Sequence, residues 1–532
     1  MSPNHSVRDG SSLAMHQGHQ YSLQSAAGKM KNYILSIYQG TTSCRAIIFD
    51  KSGKTLGVGQ MEFQQIFPKP SWVEHNPSEI LAKQIECIKD AVKNAGIKAE
   101  EIACVGVTNQ RETTVVWEKA TGKPIYNAIV WQCRRTKDSA DSLKEKMDLF
   151  RLKTGLVPDA YFSGPKIRWI LDNVPGARSR AEKGELCFGT IDTWLIWNLT
   201  KEKNHATEGS NASRTMLFNI NTMEWDDELL ALIDVPKAVL PKVLPSNADF
   251  GTTNKELLGF EAPILANLGD QQAALFGQCC LDEGMAKCTY GTGSFLLANI
   301  GAKPRLAKGL LTTVGWQLAG KAPAYAFEGA IFIAGAAIQW LRDGLAIIES
   351  STESEALAKS LPSNEGVYFV PALVGLGSPW WNSDVRGTIV GITRGTTRAH
   401  LVRAALEAMA YQVADVAEDM KANGISIKEL RVDGGATKNE FLVQFQADVL
   451  KVPVLRASNV ESTAWGVAAL AGMTAGLIKD EAELESLWQK DMKLSPAEDK
   501  AEQYGGWQAA LKAAFACAEA QTPCKEKACS KS

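Results

Sequence analysis

Two glycine-threonine turns, 251 positions apart, constrain this chain more than any other feature. The first reads Ile37-Tyr38-Gln39-Gly40-Thr41-Thr42-Ser43, between the apolar runs Tyr33–Ile37 and Ala46–Phe49. The second reads Thr289-Tyr290-Gly291-Thr292-Gly293-Ser294, before Phe295-Leu296-Leu297. Each predicts strand, tight turn, strand, with glycine permitting the turn and leaving backbone N–H groups bare. The Thr and Ser hydroxyls add donors, so such a turn can hold phosphate oxygens. One Gly-Thr turn is most often only a turn. Two of them, one near the start of each half, point to two related domains gripping one nucleotide.

The 532 residues are too many for one ordinary core, which fits that division. A net charge of −2 gives no reason to expect a nucleic-acid or membrane-surface partner. No apolar run reaches the roughly 18 residues of a transmembrane helix, and no signal-peptide core stands at the N-terminus. The eleven cysteines include no C-x-x-C pair and fall in apolar segments, such as Cys87, Cys104, Cys187, Cys279 and Cys280. That usage predicts buried thiols in a reducing, cytoplasmic setting. Residues 1–30 read as a disordered extension in which His16 and His19 are solvated, and residues 513–532 as a polar tail.

From residue 33 onward the pattern is mixed α/β. Strand-like runs include Ile102–Thr108, Leu265–Gly269, Met285–Tyr290, Tyr368–Pro371 and Leu430–Val432. Helical periodicity marks Ser78–Ala95, Gln271–Phe276, Gly335–Leu345, His400–Asn423 and Asn439–Leu450. Strands followed by helices imply sheets covered on their faces. A domain change near Gly277–Gly284 divides the chain into an N-terminal domain, 31–280, and a C-terminal domain, 281–512, with a cleft between them.

Three polar constellations carry the chemistry. Asp270 follows the apolar run Leu265–Gly269 and opens a helix. It is either an N-cap or a general base at a strand end, able to take a proton from a hydroxyl that attacks a phosphoryl group. Gln271 beside it can bond the same hydroxyl. Thr108-Asn109-Gln110-Arg111-Glu112-Thr113-Thr114 is a dense polar cluster between two apolar strands. A solvated loop has this composition, and so does a polyol pocket, with Arg donating and Glu accepting. Trp131, near Arg134-Arg135, is either core or an apolar wall for a small polyol. Asp433-Gly434-Gly435 and Asn439 read as a strand, a turn and a helix start. They mark an ordinary turn or a place where a ribose or adenine lies close to the backbone.

Together these strings resemble the glycerol kinase branch of the FGGY sugar kinases, in the fold group shared by actin, hexokinase and the heat-shock chaperone ATPases. The resemblance runs from about residue 32 to residue 512. Its most specific stretches are Ser71–His75, Gly106–Trp117, Ile125–Thr136, Phe188–Trp197, Asn211–Phe218, Gly269–Gly277 and Ala326–Trp340. It implies an α/β fold of two ribonuclease H-like domains around a cleft, and ATP- and Mg²⁺-dependent phosphorylation of glycerol to sn-glycerol 3-phosphate, with ADP released. It also implies a homodimer or homotetramer. By the same resemblance Asp270 is the catalytic base, and Arg111, Glu112, Tyr161, Asp270 and Gln271 bond the three hydroxyls. Trp131 and Phe295 then pack on the carbons. Thr41, Thr42, Ser43, Arg45 and Thr292 meet the phosphates, and Gly335, Gln339, Gly435 and Asn439 hold the nucleotide.

One position departs from the family pattern. Where relatives carry an aspartate for Mg²⁺ after the first strand, this chain has Tyr38, so no metal-holding residue is assigned. A tyrosine, which titrates at about pH 10, offers no anionic oxygen near neutrality. The expectation is weaker Mg²⁺·ATP placement. The alternative is an impaired kinase acting as a glycerol-binding regulatory protein. Pro165 and Pro158-Asp159-Ala160 are smaller departures, near Tyr161. The loop Asn247–Gly259 and Asn219-Ile220-Asn221 lack the control elements of some bacterial relatives.

Overall fold

The structure, a computed structural model, describes residues 31–459 and 461–521. The expected extension, with His16 and His19, and residues 522–532 of the expected tail lie outside the described residues.

Two sheets organise the chain. In the first, β1 (Tyr33–Gln39), β2 (Ser43–Asp50) and β3 (Thr55–Glu62) form an antiparallel meander. Next come β4 (Ile102–Asn109), parallel to β1, and β5 (Ile264–Gly269), parallel to β4. The order is β5-β4-β1-β2-β3. The second sheet contains β6 (Ala286–Tyr290), β7 (Ser294–Gly301), β8 (Leu311–Trp316), β9 (Ala324–Ile331), β10 (Leu430–Asp433), β11 (Val454–Ala457) and β12 (Lys490–Leu494). These stand in the order β8-β9-β7-β6-β10-β11-β12. Its central strands repeat the first sheet: β6 pairs antiparallel with β7 and parallel with β10, as β1 does with β2 and β4. The expected pair of similarly wound α/β sheets is present.

The apolar runs of the sequence become strands covered on both faces. Ile34, Leu35 and Ile37 of β1 and every residue of β4 are buried. Both glycine-threonine turns close hairpins. The Gly40 N–H bonds the Ser43 carbonyl at 3.0 Å, and the Gly291 N–H bonds the Gly293 carbonyl at 2.9 Å. Neither Gly40 nor Gly291 takes a positive φ, so these turns do not draw on the left-handed freedom of glycine. β8, β9 and β12 lie outside the strand-like runs singled out in the sequence.

Helix α1 (Pro77–Ala95) starts with Asn76 accepting from the Ser78 and Glu79 N–H groups, carries proline in its first turn, and stops at left-handed Gly96. The long segment 110–263 between β4 and β5 contains α2 (Ser163–Asn173). Helix α3 (Asp270–Gly277) leaves β5. Then follow α4 (Gly335–Asp343), α5 (Arg398–Ala422), α6 (Glu440–Leu450), α7 (Ser462–Ala475) and α8 (Ala501–Gln521). Helix α8 corrects one expectation: it continues past residue 512, where a polar tail was expected. Leu511 and Ala514 are buried, and Tyr504 and Trp507 donate to Asp415 of α5 at 2.7 and 2.9 Å.

The two lobes meet where α3 crosses α7. A Cβ on Gly466 would lie 1.8 Å from the Ala273 carbonyl oxygen, and one on Gly277 would lie 2.1 Å from that of Ser462. Only glycine permits so close a backbone approach. Edge-on aromatic pairs, Phe49–Trp465 and Phe276–Trp316, flank the crossing with centroids 5.4 and 5.3 Å apart. Among the described residues the cysteines are unpaired and all but Cys517 are buried. No described helix is long and apolar enough to cross a membrane.

Candidate active site

The end of β5 carries Asp270, whose side chain is partly exposed. The cap of α3 is Gly269, and Asp270 is the first helical residue, so the capping role is not what this carboxylate fills. Its Oδ1 accepts the Gln271 N–H at 2.8 Å and lies 3.3 Å from Arg111 Nε. Burial pushes the Asp270 carboxyl up, against the pull of Arg111. Glu112 adds to the rise while Lys287 and the Gln271 N–H oppose it, and the balance stands at about 6. A carboxylate tuned there is ionised at neutral pH and still basic enough to accept a proton.

Arg111 and Glu112 follow β4, and both are buried. Glu112 adopts φ 60, an uncommon left-handed backbone for a side-chain residue. Its carbonyl accepts from Ser163 Oγ at 3.0 Å, Thr114 Oγ1 at 3.1 Å and Lys166 Nζ at 3.4 Å. Its carboxylate accepts from Arg214 Nε at 2.6 Å. Arg214 in turn donates to Glu328 of β9 at 2.8 Å, and Glu328 accepts both terminal nitrogens of Arg111, at 2.5 and 3.2 Å. The result is a buried chain of alternating charge: Glu112, Arg214, Glu328, Arg111, Asp270. Burial pushes the Glu328 carboxyl up, but Arg111 and Arg214 outweigh it and hold it at about 2.

Aromatic rings close one side. Trp131 stands edge-on to Tyr161 at 5.7 Å and to Phe295, from the other lobe, at 6.3 Å. The Trp131 indole N–H donates to Thr41 Oγ1 at 3.0 Å, tying this wall to the first hairpin. Arg214 lies over the Tyr161 ring at 5.5 Å. Gln271 accepts from Lys287 of β6, which also donates to Thr289 Oγ1 at 2.9 Å. Burial lowers the Lys287 pKa, while Asp433 and Asp270 oppose the fall. The polyol residues expected from the sequence thus converge on one site.

A cavity of about 610 Å³ opens beside the second hairpin. Thr292, Gly335, Gln339, Gly435 and Asn439 all line it, with Ile338, Leu406 and Met409 as apolar surface. Gly434, at φ 93, folds back onto β6, where a Cβ would meet the Tyr290 carbonyl oxygen at 2.4 Å. Gly435 has open space in front of it. Asn439 accepts the Leu442 N–H at 3.0 Å and donates to Ser354 Oγ at 3.2 Å, so it caps α6 as well as lining the cavity. Thr41, Thr42, Ser43 and Arg45 belong to the opposite lobe and do not line it. Arg45 is engaged by Gln60, at 2.9 Å, and by Glu461 across the lobes, at 2.6 Å.

The FGGY family of carbohydrate kinases matches this chain twice: its N-terminal domain over residues 33–277 and its C-terminal domain over residues 286–475. The chain belongs to the FGGY family of carbohydrate kinases. Relatives of this FGGY kinase include glycerol kinase 2 of Thermotoga maritima, 57% identical over 90% of this chain and 98% of that protein. The glycerol kinase of Deinococcus radiodurans is 58% identical over 87% of this chain and 93% of its own. Among solved structures, Plasmodium falciparum glycerol kinase with ADP superposes with a TM-score of 0.85, at 35% identity, over 91% of this chain and 98% of that one. These relatives all bear the names of kinases and lend no support to a non-catalytic binding protein.

In this FGGY kinase Tyr38 is half-buried on β1, and Asp270, Asp433 and Glu461 lie near enough to act on it. Burial first, and those three carboxylates next, raise its phenol pKa against Arg45, so it stays neutral at working pH. No group of three or more His, Cys, Asp or Glu among the described residues could hold a metal ion. Mg²⁺ bound to nucleotide phosphates needs only one or two carboxylates and keeps several waters. The donors present fit an ion carried in on phosphates, not one caged by the protein.

Arg214, Glu328, Lys287 and Glu461 received no role from the sequence. Glu328 and Lys287 did leave a signal: each is a lone charge in an otherwise apolar strand, Ala324–Ile331 and Ala286–Tyr290. A buried charge needs a partner, and the other lobe supplies Arg111 and Arg214 to Glu328 and Gln271 to Lys287.

Proposed function

We propose that this FGGY kinase is an ATP-dependent glycerol kinase making sn-glycerol 3-phosphate and ADP. One observation carries most weight: a base-tuned Asp270 stands beside Arg111 and Gln271, in a cluster that Glu112, Tyr161, Trp131 and Phe295 complete. The names of the relatives support the substrate, and the ADP in the Plasmodium falciparum structure supports the nucleotide.

In this mechanism Arg111, Glu112, Tyr161 and Gln271 pair the three hydroxyls, while Trp131 and Phe295 cover the carbons. A pocket that pairs every hydroxyl rejects analogues that leave buried donors or acceptors unmet. Asp270 accepts the proton of the terminal hydroxyl as its oxygen attacks the γ-phosphorus. Thr41, Thr42, Ser43 and Arg45 meet the β- and γ-phosphates from one lobe and Thr292 from the other. Gly335, Gln339, Gly435 and Asn439 hold the nucleoside. Asp433 would hold Mg²⁺ through water, and the ion would neutralise charge on the phosphates. Lobe closure excludes water, the competing acceptor.

The test is product formation from glycerol, dihydroxyacetone, xylulose and gluconate with ATP and Mg²⁺. Glycerol is expected to give the highest kcat/KM. A higher value for any of the others, or no glycerol phosphate, overturns the assignment.

A further inference from the structure

We propose that Glu328, on the nucleotide-binding lobe, is a positioning residue for the polyol pocket of the opposite lobe. The inference rests on the glycerol kinase assignment above and asks what keeps its pocket open for substrate.

Glu328 sits in the middle of β9, fully buried, with Phe327 and Gly329 as neighbours. Its Oε2 accepts Arg111 Nη1 at 2.5 Å. Its Oε1 accepts Arg111 Nη2 at 3.2 Å and Arg214 Nη2 at 2.8 Å. One carboxylate from the second lobe therefore fixes two guanidinium groups of the first. The bidentate grip sets the plane of Arg111 and turns its Nε edge, rather than its fork, to Asp270. The Arg214 contact leaves its Nε for Glu112, at 2.6 Å, and holds its plane over the Tyr161 ring.

The charges explain why this matters to substrate. The Arg111 and Arg214 side chains are 2% and 0% exposed. A buried cation without a counter-charge turns to the nearest carboxylate. Without Glu328, those carboxylates are Asp270 and Glu112, the groups whose free lone pairs the polyol needs. Arg111 would close its fork on Asp270, and Arg214 would draw in Glu112. By countering both arginine charges from the far lobe, Glu328 leaves the proton acceptor and the hydroxyl acceptor available. The pocket is thus complete only while β9 stands against segment 110–214.

Glu328→Gln in the full chain tests this. The expected result is a glycerol KM raised at least about tenfold, with lower kcat and an ATP KM within about twofold of the parent. Weaker glycerol binding by calorimetry without nucleotide should accompany it. A residue that only stabilised the fold would lower Tm and the active fraction while leaving the glycerol KM of the surviving enzyme unchanged. Glu328→Asp, which keeps the charge, should recover part of the loss. It carries the test alone if the Gln variant does not fold, with the same split at smaller size. Combined with Arg214→Met, Glu328→Gln should cost less than the product of the two single effects. A parental glycerol KM in the folded variants, or strict additivity, overturns the proposal while leaving glycerol phosphorylation by the parent intact. Failure of the parent chain to bind glycerol overturns both.

Discussion

Arg111 gives both terminal nitrogens to Glu328 and approaches Asp270 only through Nε, at 3.3 Å. The carboxylate is therefore steadied but not capped, and burial keeps its pKa at about 6 despite a neighbouring cation. A general base must be ionised to act. Above pH 6 Asp270 is free to accept a proton, and below it the group is already protonated. The kcat/KM for glycerol is expected to fall about tenfold per pH unit below about pH 6. A profile flat down to pH 4.5 would exclude Asp270 as the base.

Asp270→Asn keeps an oxygen for the Gln271 N–H but cannot take a proton. Turnover should drop by roughly 10²–10⁴-fold, with glycerol affinity changed far less. Single-turnover kinetics and calorimetry on the same preparation separate the two. Turnover near the parental rate would remove the residue from the base role.

Glu112 keeps its left-handed backbone because its carbonyl is held from three sides. Lys166 Nζ bonds that carbonyl at 3.4 Å and the Tyr161 carbonyl at 2.5 Å, so one buried amine ties Glu112 to Tyr161. Burial draws its pKa down to about 7. Lys166→Met is expected to cost about 1–3 kcal/mol of stability and to raise the glycerol KM several-fold without changing the ATP KM. An unaltered glycerol KM would mean the tie is structural only.

Tyr38 puts a neutral phenol where Asp270, Asp433 and Glu461 already gather. Tyr38→Asp adds an anionic oxygen there. Titrations of ATP with and without Mg²⁺ should show greater Mg²⁺-dependent tightening in the variant, with a higher kcat. Equal Mg²⁺ dependence in both chains would show that the ring position plays no part in metal placement.

Asp415 anchors α8 through Tyr504, Trp507 and Gln508, and burial raises its pKa to about 6 against those donors. The folded chain therefore binds this proton more readily than the unfolded chain, whose Asp titrates near 3.9. The group opposes folding above pH 6, by on the order of 3 kcal/mol, and the penalty is relieved as pH falls toward 4. Asp415→Asn removes the titrating carboxyl and keeps one acceptor for the α8 donors. It should abolish this group's gain between pH 6 and 4. Parallel Tm-versus-pH curves for the two chains would contradict this.

The hairpins at Gly40 and Gly291, the strand end at Asp270 and the turn at Gly434-Gly435 were legible because each has a local signature: apolar run, glycine, polar cluster. Tyr161 and Phe295 carry no such mark and came only through resemblance. Glu328, Lys287 and Arg214 were missed because their meaning is relational. A lone charge in an apolar strand says that a partner exists, but not that it sits on the other lobe. Arg45 was assigned to phosphate, and its partners Gln60 and Glu461 lie 15 and 416 positions away, beyond any local pattern. The extent of α8 was misjudged because beyond residue 512 its one buried residue among those described is Ala514, and the alanines around it look like tail when read alone.

The glycine contact of α3 and α7 also limits the way this molecule can move. Where Gly466 and Gly277 press backbone on backbone, there is no layer of side chains to change rotamer and let one helix slide along the other. Shear is closed off at that point. A turn about this contact moves the lobes least there and most at the two hairpins, which on the proposed function close on the phosphates. The crossing is the fulcrum, and Gly40 and Gly291 are the tips of the jaws.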